Sequence, residues 1–176
     1  MDITLHPPRA ADAAALLDFE LANRAYFERW INARPDGYYQ LDAVREAIDA
    51  AGREAVADQG YQYLIWHEGR IAGRINLHGV ERRYFHKAEL GYRVGEADAG
   101  QGIASRALAA LRDKAFGELK LARLEAAVRA ANAGSLKVLE RNGFSVFGKA
   151  ERSMLLHGEW HDLWHMACRS PSFPLK

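Results

Sequence analysis

The sequence predicts an α+β domain built on a mixed β-sheet, and three observations carry that reading. Residues 87–130 run strand, glycine-rich turn, helix, strand, and a helical crossover of this kind makes its two strands parallel. Residues 61–79 and 144–170 each hold two strand-like runs around a turn, the pattern of antiparallel hairpins. Between a first short strand and the first hairpin, residues 11–31 and 41–57 carry apolar residues at helical spacing. The order is β–αα–βββ–α–β–α–ββ. Residues 1–176 read as one domain, because that length holds one sizeable core and no repeat or linker interrupts it.

Each element has a local cause. "ITLHPP" makes a strand that Pro7 and Pro8 stop. Leu16, Leu17, Phe19, Leu21, Tyr26, Phe27, Trp30 and Ile31 form a broad helical stripe, which "ARPDGYY" ends. Val44, Ala47, Ile48 and Ala51 continue helical spacing from Leu41 to Ala57, with Gly52 weakening it. The first hairpin turns at Glu68-Gly69, and "KAELGYRV" (87–94) is a third strand. From 102 to 119, Ile103, Ala107, Leu108, Leu111, Ala115, Phe116 and Leu119 share a helix face. In "RLEAAVRA", Leu124, Ala126 and Val128 alternate with Arg123, Glu125 and Arg129, a strand period. Asn132 to Arg141 is a short helix stopped by Asn142-Gly143, and the last hairpin turns at "HGEW".

Composition excludes several classes. The formal net charge is +1, so no bulk field favours nucleic acid or an anionic membrane. No apolar run approaches the ~18 residues of a membrane span. The start, "MDITLHPPRA", lacks the basic and apolar regions of a secretory signal. The one cysteine, Cys168, forms no intramolecular disulfide, and the cytoplasm is the expected compartment.

The stretch "DAGQGIASRAL" (98–108) is where chemistry enters. A helix N-terminus carries unpaired N–H groups and partial positive charge, and glycine lets a ligand come close to backbone. Gly100, Gly102 and Ala104 lack bulk at that point, which suits a phosphate. An empty turn satisfies the same pattern. A Walker A loop fails, since Gly102 is followed by Ile-Ala-Ser rather than Lys-Ser/Thr. A dinucleotide fingerprint needs glycine or alanine where Ser105 stands, and "GEADA" is too long for its tight first turn, although Glu125 sits at the spacing of a ribose carboxylate.

With its context, the segment resembles the acyl-CoA motif of the GNAT-superfamily N-acetyltransferases, Gln/Arg-x-x-Gly-x-Gly/Ala at a strand–helix junction. Gly102 and Ala104 fill its last two positions, while Ala99 stands where Gln or Arg is usual. "NAGSLKVLERNGF" (132–144) is similar to the superfamily's later segment. Ser135, "HGEWHD", "AELGYRV", "GRINLHG" and "NRAYFERW" resemble the branch of the RimJ and RimL ribosomal-protein N-terminal acetyltransferases. The resemblance implies the acyl-CoA N-acyltransferase fold, whose mixed sheet splays between two central parallel strands, about 87–94 and 122–130. It implies acetyl-CoA as cosubstrate. The pantetheine would pair with the backbone of Tyr92, Arg93 and Val94. The pyrophosphate would meet the turn of Ala99, Gly100, Gln101, Gly102, Ile103, Ala104 and Ser105.

The implied reaction moves acetyl from a thioester to an amine. A thiol with pKa near ~8.5 leaves readily as thiolate. A protein α-amine, with pKa about 7.7–8, demands less of a base than lysine near 10.4. Glu89 is the candidate base, directly or through water, against the reading of a strand carboxylate in an ion pair. Ser135 is the candidate hydrogen-bond donor to the departing sulfur, against the reading of a capping serine. Leu139 occupies the position of the superfamily's tyrosine acid, and Asn132 is expected to cap this helix and contact pantetheine. The ribosomal branch's later carboxylate matches Met154, with Glu151 out of register.

His161 and His165 share only a strand face and suggest no metal site. His78 and His86 border the acceptor side or are solvated, and Cys168 reads as packing. Tyr26, Phe27 and Trp30 are core, or wall the acceptor pocket with the "ARPDGYY" loop. The expected activity is acetylation of a protein or peptide amine, an N-terminal one favoured. A small-molecule acceptor (an amino acid, polyamine or antibiotic) and a non-catalytic acyl-CoA-binding module are the alternatives. A monomer and a homodimer both fit the sequence.

Overall fold

The computed structural model describes residues 2–172. One seven-stranded mixed sheet organises them. Its strands are β1 (Ile3–His6), β2 (Tyr61–His67), β3 (Arg70–Glu81), β4 (Lys87–Val94), β5 (Arg123–Arg129), β6 (Ser145–Leu156) and β7 (Glu159–Arg169), in the spatial order β1-β2-β3-β4-β5-β7-β6. Every neighbouring pair is antiparallel except β4 and β5, which are parallel. The helices are α1 (Ala13–Ala22), α2 (Arg24–Glu28), α3 (Leu41–Val56), α4 (Ile103–Gly117) and α5 (Ala133–Arg141).

Two apolar clusters sandwich the sheet. On one face, Ile103, Ala107, Leu108, Leu111 and Ala115 of α4 and Leu139 of α5 pack on Ile75, Leu77, Ala88, Leu90, Leu124, Ala126 and Val128. On the other, Leu16, Phe19, Phe27, Val44 and Ile48 pack on Leu64 and Ile71. Strand alternation therefore decides which residues of β3, β4 and β5 meet which layer. Burying each large aliphatic side chain contributes roughly 1.5–3 kcal/mol.

The helical reading of 11–31 needs correction. A 3-10 turn covers Ala10–Asp12, and the helix breaks at Asn23 before the short α2. Asn23 is responsible. Its Nδ2 donates to the Phe19 carbonyl at 2.9 Å, and its Oδ1 accepts from the Glu96 N–H at 2.8 Å. A side-chain amide competing for helix backbone, as this one does, interrupts the ladder. The same bonds pin α1 to the turn that follows β4.

A buried charge cluster locks α1 onto the sheet. Glu20, 1 % exposed, accepts from Arg74 Nη1 at 2.9 Å and from Arg93 Nη2 at 2.6 Å. Tyr38 Oη lies 2.9 Å and 3.2 Å from the same two nitrogens, and Gln62 Oε1 accepts from Arg74 at 2.8 Å. Arg74 and Arg93 stand opposite each other in the β3–β4 register, so one carboxylate separates two guanidinium groups. Removing it leaves two like charges buried together. Glu20→Ala is expected to destabilise the fold by about 3–5 kcal/mol, measured by urea unfolding.

Candidate active site

The parallel pair is short. β4 and β5 pair at Lys87–Arg123, Ala88–Leu124 and Glu89–Glu125, and pairing stops there. β4 continues along β3 to Val94, and β5 continues along β7 to Arg129. The two strands thus part after Glu89, leaving Leu90–Val94 with a strand partner on the β3 side alone. The expected central splay lies between these strands.

The glycine turn follows the open end of β4. Gly102 is the N-cap of α4 with φ +75°, and Gly100 has φ +77°, both left-handed. A side chain at Gly100 would point into open space. Ala99 ends a short 3-10 turn, and Gln101 donates to the Ala97 carbonyl at 2.7 Å. The first N–H groups of α4, from Ile103 to Ser105, have no partner within the helix by its geometry. The Ser105 hydroxyl serves packing, accepting from Asn142 Nδ2 at 3.1 Å. Arg106, one turn into α4 and exposed, donates to the Gln101 carbonyl at 3.3 Å. This cation beside the turn was not among the expected residues. Its signal is the spacing of one helical turn from Gly102. Below the turn, Asp98 is 2 % exposed and takes both Arg70 nitrogens at 2.7 Å, which fixes the loop to β3.

On the α4–α5 face, the Tyr92 phenol and Ser135 Oγ share a 2.9 Å hydrogen bond. Ser135 does not cap α5. Asn132 caps it, its Oδ1 accepting the Ser135 N–H at 3.0 Å. Tyr92 was expected to contribute backbone alone, yet its side chain reaches across the opening to the residue singled out for the sulfur. Burial raises the Tyr92 phenol above its ordinary value, against the smaller effect of the Ser135 bond, so it stays protonated at neutral pH. Leu139 is buried core, so no hydroxyl takes the place of a tyrosine there.

On the opposite face, Glu89 is half exposed and pairs with His78, Nε2 to Oε2 3.2 Å. Glu125 stands beside it in register but is committed, with Lys87 Nζ at 3.0 Å on one oxygen and Arg123 Nε at 2.6 Å on the other. Burial pushes the Glu125 carboxyl up, and these two bonds outweigh it and hold it below the usual range. His86 sits at the closed end, where its carbonyl accepts from Ala122 and Arg123. Glu151 lies in the irregular stretch of β6 between Ala150 and Met154 and pairs with Lys149, while Met154 is registered with His161. The His165 ring lies 6.0 Å from that of Phe147, tilted by 52°. Cys168 is buried, and burial raises its thiol.

Phe27 is buried, whereas Trp30 is 38 % exposed with Arg129 over its ring. Asn32 donates to the Leu155 carbonyl at 3.1 Å, and His157 Nε2 lies 2.7 Å from the Glu28 carbonyl. These contacts tie α2 and the residues that follow it to the last hairpin.

The model of the acetyltransferase (GNAT) domain matches residues 2–145. The chain belongs to this family. It is 33% identical over 171 residues to the probable N-acetyltransferase YjcK of Bacillus subtilis (strain 168), covering 96% of this chain and 94% of that one. A ribosomal-protein-serine acetyltransferase of Escherichia coli (strain K12) is 31% identical over 163 residues, 92% of this chain and 89% of the relative. The L-amino acid N-acetyltransferase AaaT of the same organism is 28% identical over 142 residues, 79% of this chain and 88% of the relative. Mycobacterium smegmatis RimJ, solved in complex with CoA-disulfide, superposes with a TM-score of 0.90 at 28% identity, covering 99% of this chain and 85% of that one. The fold is that of the GNAT acyltransferases.

The left-handed backbone at Gly102 makes the turn intolerant of side chains. Gly102→Val places a β-branched residue at φ +75°, with its Cβ 3.1 Å from Arg106 Nη1. A loss of roughly 1–3 kcal/mol of unfolding free energy is expected, read by denaturant titration.

Proposed function

We propose that this chain transfers acetyl from acetyl-CoA to the α-amine at the N-terminus of a protein or peptide, with residues 1–176 acting as a single N-acetyltransferase domain. The observation that carries this reading is the parting of β4 and β5 directly beside the glycine turn of α4. An extended chain bearing amides fits an unpaired strand edge, and an anion fits a helix N-terminus. Pantetheine and pyrophosphate are joined in that order in one cosubstrate.

In this reading, the backbone of Tyr92, Arg93 and Val94 pairs with the pantetheine amides. The turn from Ala99 and Gln101 through Gly100, Gly102, Ile103, Ala104 and Ser105 receives the pyrophosphate, with Arg106 as an added cation. Asn132 holds the start of α5 so that Ser135 faces the opening. The amine nitrogen attacks the thioester carbonyl, and the C–S electron pair leaves on sulfur. Ser135 donates a hydrogen bond to that sulfur while the Tyr92 phenol donates to Ser135, which spreads the developing charge over two hydroxyls. Glu89 receives the amine proton, directly or through water. Glu125 is unsuited to that role because two cations already occupy its oxygens.

The protein α-amine is favoured as acceptor because the ribosomal-protein-serine relative aligns over 92% of this chain. It is also the amine with more neutral form at pH 7. Such an acceptor places the chain in the cytoplasm. The likeness to AaaT supports a second reading, in which the acceptor is the α-amine of a free amino acid. Mass spectrometry of a peptide panel and an amino-acid panel after incubation with acetyl-CoA separates the two. Acetylated peptides without acetylated amino acids support the first, and the reverse result supports the second.

Acetyl-CoA at a hundredfold excess over its Kd is expected to add about 2.7 kcal/mol, raising Tm by roughly 5–10 °C. No shift in Tm and no heat of binding would sink the cosubstrate assignment. Ser135→Ala is expected to remove a bond to a charged group of about 1.5–3 kcal/mol. That corresponds to a loss of roughly 10- to 150-fold in kcat, with acetyl-CoA affinity retained, checked by thiol release and calorimetry.

A further inference from the structure

The same face of β3 and β4 carries a polar ladder that narrows the question of where the proton goes. Reading from the closed end of the splay, the cross-strand pairs are His78–Glu89, Asn76–Gly91 and Arg74–Arg93. The last is sealed beneath Glu20 and Tyr38. The middle pair has side-chain atoms on one strand alone, with Asn76 Oδ1 3.0 Å from where a Cβ on Gly91 would stand. The first pair is open, with side-chain exposures of 54 % and 57 %.

The ring of His78 has a direction. Nε2 faces Glu89 Oε2 at 3.2 Å, and Nδ1 faces Asn76 Nδ2 at 3.4 Å. Asn76 lies on the side where β4 and β5 have parted. A carboxylate that accepts one imidazole N–H leaves the other nitrogen as an acceptor and stabilises the imidazolium once formed, the logic by which a third group orients a catalytic base. Lys87 and Arg123 are bound to Glu125, and Glu54 of α3 approaches the backbone at Gly60, beside the His78 Cα.

We propose that His78 Nδ1 takes the proton released from the acetylated amine, with Glu89 as the positioning residue that holds the ring and balances its charge. The inference rests on the acetyl-transfer reading and relocates the proton acceptor within it. The N–C bond forms as the C–S bond breaks, and the electron pair leaves on sulfur. The proton on the acylated nitrogen passes to Nδ1, displacing the weak Asn76 contact, and the half-exposed imidazolium returns it to water. The thiolate takes up one proton from solvent, so the products are the amide and the free thiol.

The test uses the full chain with acetyl-CoA and a peptide that the wild type acetylates. His78→Ala is expected to lower kcat/KM by about 100- to 1000-fold, while acetyl-CoA affinity by calorimetry and Tm stay near wild type. Free imidazole added to the His78→Ala enzyme is expected to restore turnover in proportion to its neutral fraction as pH is varied. Glu89→Gln is expected to lower kcat/KM less than His78→Ala, and the double variant no further than His78→Ala alone. Wild-type kcat/KM in His78→Ala overturns the assignment, as does a loss that imidazole does not restore at any pH. A wild-type protein that acetylates no amine overturns the acetyl-transfer reading itself, and this proposal with it.

Discussion

Everything at the candidate site depends on one broken ladder. Parallel strands that are neighbours in a sheet ordinarily pair along their length, because an unpaired backbone edge forfeits hydrogen bonds that folding has removed from water. Here β4 and β5 stay paired through Glu89 and Glu125 and then separate. Each is held by its outer neighbour, β4 by β3 up to Val94 and β5 by β7 up to Arg129. The central gap is therefore the product of two intact antiparallel ladders diverging, and it costs little outside the opened stretch itself. An extended ligand with its own amides fits that edge, which is why a strand-like cosubstrate is the natural occupant in the proposed function.

The opening is braced on both faces. Arg93 and Arg74 share Glu20, which ties α1 to β3 and β4. Tyr92 meets Ser135 on the other face, and Asn132 fixes the first turn of α5 that carries it. Consecutive residues of β4 thus reach opposite layers. This period of two separates the proposed chemistry into compartments. The hydroxyls proposed for the sulfur stand on the α4–α5 face, and the carboxylate and imidazole proposed for the amine proton stand on the face of α1 and α2. Neither set competes with the other for the same proton.

Much of this was legible from local pattern. The strand–glycine–helix–strand run, the hairpin turns at Glu68-Gly69 and His157-Gly158, the Asn132 cap and the alternation of β5 all follow from short-range rules, and the structure follows them. The break at Asn23 escaped because its side chain is held from two sides, by the Phe19 carbonyl one turn back and by the Glu96 N–H more than seventy residues away. Glu20 escaped for the same kind of reason. On a helix stripe it reads as a solvated carboxylate, and only the two arginines opposite each other in register make its burial tolerable. Ser135 read equally well as a cap or as a functional hydroxyl, and the structure gives the cap to Asn132 and pairs the Ser135 hydroxyl with Tyr92.

The sequence by itself determined the types of most elements, the faces of the strands, the glycine turn that opens α4 and the family resemblance that names the donor. These are consequences of backbone sterics and residue period, which act over a few positions. Tertiary structure alone decided which side chains meet: His78 with Glu89, Tyr92 with Ser135, Glu125 with Lys87 and Arg123. Alternation assigns a residue to a face, but its neighbour across the ladder is set by register, and register is a property of two strands and the turn or crossover between them. In the proposed function the chemistry falls to such long-range pairs, His78 with Glu89 between β3 and β4 and Tyr92 with Ser135 between β4 and α5.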